Sequence, residues 1–171
     1  QAVPKYVPDP DLVEQIDMDL KPGALRRIKI LADMDDPQLL ALAKSLETLR
    51  LRVGTHVIGR GECGDALYMV MEGELRASML VEGKECPLAT LTPGHVFGEI
   101  AFLDHGPHTE DVLTNAESVV LKLSREAFDR LVCEEPGTAL GVTLGLTQAI
   151  AGHVRVLTRR YEDSVHIVQR T

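Results

Sequence analysis

The sequence has no tryptophan, and its three phenylalanines and three tyrosines make up only 4% of 171 residues. The core must therefore be built from aliphatic side chains. Positive charge is also short, since 18 Lys and Arg face 26 Asp and Glu for a formal net charge of −8. Such a surface repels phosphate backbones, which argues against nucleic-acid binding by this segment alone. Cysteine is limited to Cys63, Cys86 and Cys133. An odd number without a Cys-x-x-Cys pair fits neither a metal nor a redox site, is too few for a four-thiolate iron–sulfur cluster, and points to a reducing cytoplasm. The longest uncharged run, 138–153, is about 16 residues, short of the roughly 20 that cross a bilayer, so no direct membrane insertion is expected. No Gly-x-Ser-x-Gly, phosphate-loop lysine or His-Glu-x-x-His occurs, and an enzyme is not expected. The chain opens at Gln1 without a leader, as a piece of a longer protein would.

What is present falls into segments. Residues 1–10, with Pro4, Pro8 and Pro10, read as a linker from something upstream. Residues 11–35 read as an N-terminal helical bracket: Asp11 caps a helix with Leu12, Val13 and Ile16 at helical spacing, and a second helical segment runs from Ala24 to Leu31. Asp36-Pro37 starts the next helix, with Asp36 as the cap and Leu39, Leu40, Ala43 and Leu46 on one face. From Leu49 the period changes to two. Short apolar runs at 49–53, 57–58, 66–71, 74–81, 85–91, 112–113 and 119–123, punctuated by glycine turns, predict about eight strands in a jelly roll or barrel. Ser124 caps a helix with Phe128, Leu131 and Val132 on one face, which stops at Glu135-Pro136-Gly137, and closes the unit 36–136.

The remainder, 137–171, is a long C-terminal helix and tail. Ile150, Val154, Leu157 and Tyr161 are spaced as a heptad seam for a homodimer, and Gly141, Gly145 and Ala149 form a small-residue stripe that lets another backbone approach. Packing of this helix against its own barrel accounts for the same pattern equally well.

Two adjoining stretches carry the chemistry. Gly94-His95-Val96-Phe97-Gly98-Glu99-Ile100-Ala101-Phe102-Leu103 sets a glycine turn before one apolar helical turn, whose amides suit a phosphate-sized anion. Asp104-His105-Gly106-Pro107-His108-Thr109-Glu110-Asp111 follows with histidine and acid. His95, His105 and His108 with Glu99, Asp104, Glu110 and Asp111 also hold the ingredients of a cupin-like metal site, without a His-x-His pair.

With Gly54, Gly61-Glu62, Gly64-Asp65, Leu67-Tyr68, Gly73-Glu74 and Gly94, the run Phe97-Gly98-Glu99-Ile100-Ala101-Phe102-Leu103 resembles the cyclic-nucleotide-binding domain of the catabolite-activator and kinase-regulatory-subunit superfamily over about residues 28–160. The resemblance implies a mainly β, eight-stranded jelly roll (double-stranded β-helix) with N-terminal helices and two C-terminal helices. It also implies a ligand site at Phe97, Gly98, Glu99, Ile100, Ala101, His108 and Thr109, with α-helical amides on a cyclic phosphate and Glu99 on the ribose 2′-hydroxyl.

The sequence departs from that pattern where nucleotide-binding members continue as Pro-Arg-Ala-Ala-Thr or Pro-Arg-Ala-Ala-Ser. Here the stretch is Pro107-His108-Thr109-Glu110-Asp111, with His108 in place of the phosphate-pairing Arg and Glu110 and Asp111 as gatekeepers. A carboxylate about 4–6 Å from a phosphate costs a few kcal/mol, and the lost charge-assisted partner roughly 1.5–3 kcal/mol more. Binding of cAMP or cGMP is thus expected to be weak or lost. The expected function is a cytoplasmic regulatory domain, free or attached to a membrane protein, that works on its own upstream or downstream output domain. The alternatives are the sensor half of a dimeric transcription regulator, or a cupin-like metal binder.

Overall fold

The structure is a computed structural model and describes residues 10–169. Its centre is a five-stranded sheet in the order β1-β2-β9-β4-β7, facing a four-stranded sheet β3-β8-β5-β6. The strands are β1 (Val13–Ile16), β2 (Glu47–Leu51), β3 (His56–Ile58), β4 (Ala66–Glu72), β5 (Leu75–Val81), β6 (Lys84–Leu91), β7 (Val96–Phe97), β8 (Asp111–Thr114) and β9 (Ser118–Ser124). All pairs are antiparallel. Together they form the jelly roll the turn spacing predicts.

The expected helix at Asp11–Ile16 is instead a 3-10 turn, Pro10–Leu12, followed by strand β1. Val13 and Ile16 pair across from Leu51 and Thr48, so β1 extends the sheet at its edge and brings the strands to nine. A three-residue spacing fits both a helix face and the two ends of a four-residue strand, and the free edge of β2 decides between them.

The remaining helices are α1 (Pro22–Leu25), α2 (Asp36–Ala43), α3 (Glu99–Asp104), α4 (Arg125–Glu134) and α5 (Pro136–Gln169). The expected segment Ala24–Leu31 is split between α1 and a 3-10 turn, Lys29–Leu31. The cap of α2 is Asp35, one residue before the expected Asp36, because Gln38 returns a side-chain bond to the Asp35 amide and closes a capping box. Ser124 caps α4 as expected. Glu135-Pro136-Gly137 is a junction rather than a loop, and α5 begins at Pro136, a favoured first-turn position.

Two cores result. One lies between the sheets, with Leu51, Ile58, Val70, Leu75, Phe97, Val112 and Val120. The other seats the helices on the outer face of the five-stranded sheet: Leu67, Met69, Leu121 and Leu123 meet Leu25, Ile28, Leu31, Leu39, Leu42, Phe102, Leu131 and Leu146. Strands β4 and β9 therefore bury residues on both faces, which is why Ala66–Met71 is a continuous apolar run and β9 is broken only by Lys122 between Val119 and Leu123.

The small-residue stripe on α5 has a partner within the chain. A side chain on Gly145 would collide with the carbonyl of Ile30, and one on Gly141 would press on Met34. Ala139, Val142 and Leu146 of the same half of α5 are buried. The other half leaves the body: Val154, Leu157 and Tyr161 are exposed, Tyr161 by 72%. By length and composition Pro136–Val168 is apolar enough to cross a bilayer, which the charge-free run alone did not suggest, although its first half is seated on the 3-10 turn.

Candidate functional site

The site is built where β7 runs into α3. Tyr68 on β4 pairs with Phe97 on β7, and the two rings stack 5.0 Å apart at 5°. Gly98 then takes φ 76°, and a Cβ there would stand 3.0 Å from the Ala66 carbonyl oxygen. Only glycine accepts both the left-handed backbone and that approach. α3 follows, held from below by Phe102, whose ring meets Phe128 edge-on at 5.2 Å and carries the Arg125 guanidinium 4.5 Å above its centroid.

The opposite wall is the segment after α3, fixed to the glycine loop 59–65. The Gly61 amide donates to the His108 carbonyl at 2.8 Å, and the His108 amide donates to the Glu62 carbonyl at 2.9 Å. Cys63 and Pro107 form a β-bridge beside them. This ladder directs the His108 ring into the space left by missing side chains: a Cβ on Gly64 would lie 2.7 Å from His108 Cε1, and one on Gly98 3.6 Å from the same atom.

Between these walls Ile58, Gly98, Glu99, Ile100, Ala101, His108, Thr109 and Glu110 line one cleft with about 10 Å³ of free space, about enough for a single water. Of the residues singled out in the sequence, Gly98, Glu99, Ile100, Ala101, His108, Thr109 and Glu110 come together here. Phe97 does not line it, since its ring is in the core between the sheets. Asp111 does not either: its Oδ1 accepts from the Arg60 amide at 3.0 Å and lies 3.0 Å from His56 Nε2. That carboxylate ties β8 to β3.

The electrostatics of the cleft follow from burial. Desolvation raises the Glu99 carboxyl above its ordinary 4.5, an effect its bond to its own amide and the His153 imidazole partly offset. Glu110 is raised by desolvation and then by the nearby Glu99 charge. His108, only 8% exposed, is pushed below 6.5 by burial, against the pull of Glu62 and Asp65. Tyr68, under the Gly98 turn, is pushed up to about 12 by burial and then by Asp65 and Glu47. The cleft thus carries two carboxyls that resist ionisation and an imidazole that resists protonation.

The other histidines part company with His108. His95 Nε2 lies 3.0 Å from Lys29 Nζ and its Nδ1 meets the Thr92 amide, while His105 is the left-handed C-cap of α3. Among the described residues no three His, Cys, Asp or Glu side chains are placed to hold a metal ion. Sequence reasoning passed over Ile58, which lines the cleft, and Gly64, which makes room for His108. The cluster Gly59, Gly61, Gly64 was the available signal, but spacing does not say which side chain fills the gap.

Set beside known proteins, the chain matches a family model described as the cyclic nucleotide-binding domain over residues 48–135. It is 34% identical to the cAMP-dependent protein kinase regulatory subunit of Emericella nidulans over 108 residues, 63% of this chain and 26% of that protein. The chain therefore spans about a quarter of that relative's length. Its fold is similar to Thermus thermophilus catabolite activator protein, with a TM-score of 0.69 and 26% identity over 78% of this chain and 62% of that one. A third similarity is to the regulatory subunit of a cAMP-independent protein kinase A from Trypanosoma brucei, in a triple mutant bound to cAMP in the A site. That match has a TM-score of 0.64 and 26% identity over 74% of this chain and 44% of that one.

Proposed function

The chain belongs to the cyclic nucleotide-binding domain family, and from that premise we propose that it is the regulatory domain of a larger signalling, channel or transporter protein whose pocket has given up tight binding of cAMP and cGMP. One observation carries this: Glu99 and Glu110 line the same cleft with a neutral-leaning His108, and no arginine is among its lining residues. A phosphate entering there meets carboxylates instead of a planar, permanently charged fork. The free space of about 10 Å³ also sits far below the roughly 300 Å³ at which ligand pockets begin.

The Trypanosoma brucei protein lends support by its own description. It is called cAMP-independent, and the mutant bound to cAMP replaces a glutamate by alanine, a threonine by arginine and a valine by alanine. Adding an arginine and removing a glutamate are the changes this chain's cleft would call for. Titration calorimetry with cAMP and cGMP tests the proposal, and submicromolar binding of either nucleotide would refute it.

A second reading, the sensor half of a dimeric transcription regulator, is favoured by α5. Its outer half exposes Val154, Leu157 and Tyr161, with Ile150 half-buried at the same spacing, which suits a homodimer seam. The full-length sequence separates the two readings by its output domain.

A further inference from the structure

Strand β1 is an open edge of the five-stranded sheet. The Arg52 amide donates to the Leu12 carbonyl at 3.0 Å, and Val13 stands opposite Leu51. The alternation of an antiparallel ladder then turns the backbone groups of Glu14 and Ile16 toward β2 and those of Val13 and Gln15 outward. No described residue bonds to the outward amides or carbonyls. Such an edge is a template for one more strand.

Past Gln15 the edge borders a groove of about 850 Å³ between residues 15–20 and α2. Its floor is apolar: Ile16, Met18 and Leu20, half-buried at alternate positions, lie with Leu46 and with Leu40, which is 50% exposed. Its rim is acidic, with Asp17, Asp19 and Glu47 against Lys44. Asp17 and Glu47 make no ion pair with a described residue. Asp19 lies 3.8 Å from Lys21 with both side chains exposed, a pair that contributes little.

These three features define an occupant. The open amides and carbonyls call for an extended backbone, and the floor for apolar side chains at every second position. Asp17 and Asp19 alternate with the floor residues, so Lys or Arg between the apolar positions meets them. A second copy would bring its own carboxylates to the same edge, with a net charge of −8. Residues 1–9 hold one base, Lys5, lack amide donors at Pro4 and Pro8, and join β1 at its start, whereas the groove lies past Gln15. Nucleic acid and anionic lipid are repelled.

We infer that the edge of β1 and the groove beside it bind an extended segment of a partner protein, in which apolar residues alternate with Lys or Arg, as an added strand. The carboxylates at the edge exclude further copies of the chain and admit the basic strand. None of these residues belongs to the cleft at Gly98, so the inference stands apart from the nucleotide question.

Titration calorimetry with an acetylated, amidated hexapeptide alternating Lys and Val tests it, against Glu-Val and Lys-Ser peptides of the same length. Amide shifts by NMR locate the site. The expected result is saturable binding of the Lys-Val peptide, at least tenfold weaker binding of both controls, and shifts confined to residues 13–20 and 40–48. Gln15→Pro removes an outward amide without touching the β1–β2 ladder and should weaken binding at least tenfold. If β1 does not tolerate the proline, Leu40→Ser, already half-exposed on α2, takes its place and should weaken binding at least fivefold. Leu80→Ser, exposed on β5, should leave binding unchanged. Absence of saturable binding, equal binding of either control peptide, shifts elsewhere, or unchanged binding in the folded Gln15→Pro or Leu40→Ser variant overturns the inference. So does self-association of the chain, read by sedimentation velocity, that Gln15→Pro abolishes, because a second copy then holds the edge.

Discussion

A Cβ on Gly64 would stand 2.7 Å from Cε1 of His108, so the imidazole occupies space that the glycine loop yields to it. The loop, the segment after α3 and α3 itself meet at that point, since the same Cβ would also collide with Ala101. The site is thus held by close packing and a backbone ladder rather than by ion pairs.

Gly64→Ala should therefore overpack this junction and cost about 1–3 kcal/mol. Urea denaturation reads the loss. Combining it with His108→Ala should recover part but not all of it, because the collision with Ala101 remains; strict additivity would mean that His108 is not the neighbour that matters.

Gly98→Ala combines a positive φ of 76° with a 3.0 Å approach to the Ala66 carbonyl. The left-handed backbone alone costs roughly 1–2 kcal/mol for a residue with a Cβ. A fall in Tm with altered near-ultraviolet signal from Tyr68, stacked just before this turn, is the expected outcome. An unchanged melt would show that the turn relaxes freely.

On α5, Gly145→Ala should detach the helix from the 3-10 turn, since the new methyl would run into the Ile30 backbone, which cannot swing away as a side chain can. Gly152→Ala, with open space around the glycine, should instead stabilise by about 0.5–1 kcal/mol. Chemical denaturation of the pair gives opposite signs if the two halves of α5 differ as described.

The pH dependence of stability has two opposed parts. His108 has a lowered pKa, so below pH 6.5 the unfolded chain binds a proton that the folded chain refuses, and stability falls as pH drops through the lowered value. Glu99 and Glu110 have raised values, so their contribution is full below pH 4.5 and is lost as pH rises through those raised values. Relative to wild type, Glu110→Gln should gain stability as pH rises above 4.5. His108→Gln should flatten the loss on acidification below 6.5. Urea midpoints measured across this range check both signs.

Much of the fold was legible because patterns were redundant. The run 66–71 reads as a buried strand from its length, its apolar composition and its flanking glycines, and Ser124 caps α4 by a chemistry that needs no tertiary context. Where one spacing served two structures, sequence gave no decision: Val13 and Ile16 fit a helix face until the open edge of β2 recruits them. Asp35 and Asp36 are equivalent caps until Gln38 reaches back. In the site, the segment 98–110 gathers as its pattern suggests, but the partner of a polar side chain is set by distant chain. Asp111 is bound beside His56, 55 residues earlier, so its charge points elsewhere than neighbouring Glu110. The stripe Gly141 and Gly145 likewise named a close approach without naming Ile30.

Whether the cleft still accepts a cyclic phosphate decides the proposed function. Calorimetric titration of cAMP and cGMP into the wild-type chain and into His108→Arg/Glu110→Ala, with Asp111 kept for its bond to His56, tests this most directly. No submicromolar binding by wild type and at least tenfold tighter binding by the double variant, about 1.4 kcal/mol, are expected. Submicromolar binding by the wild-type chain would contradict the proposed function.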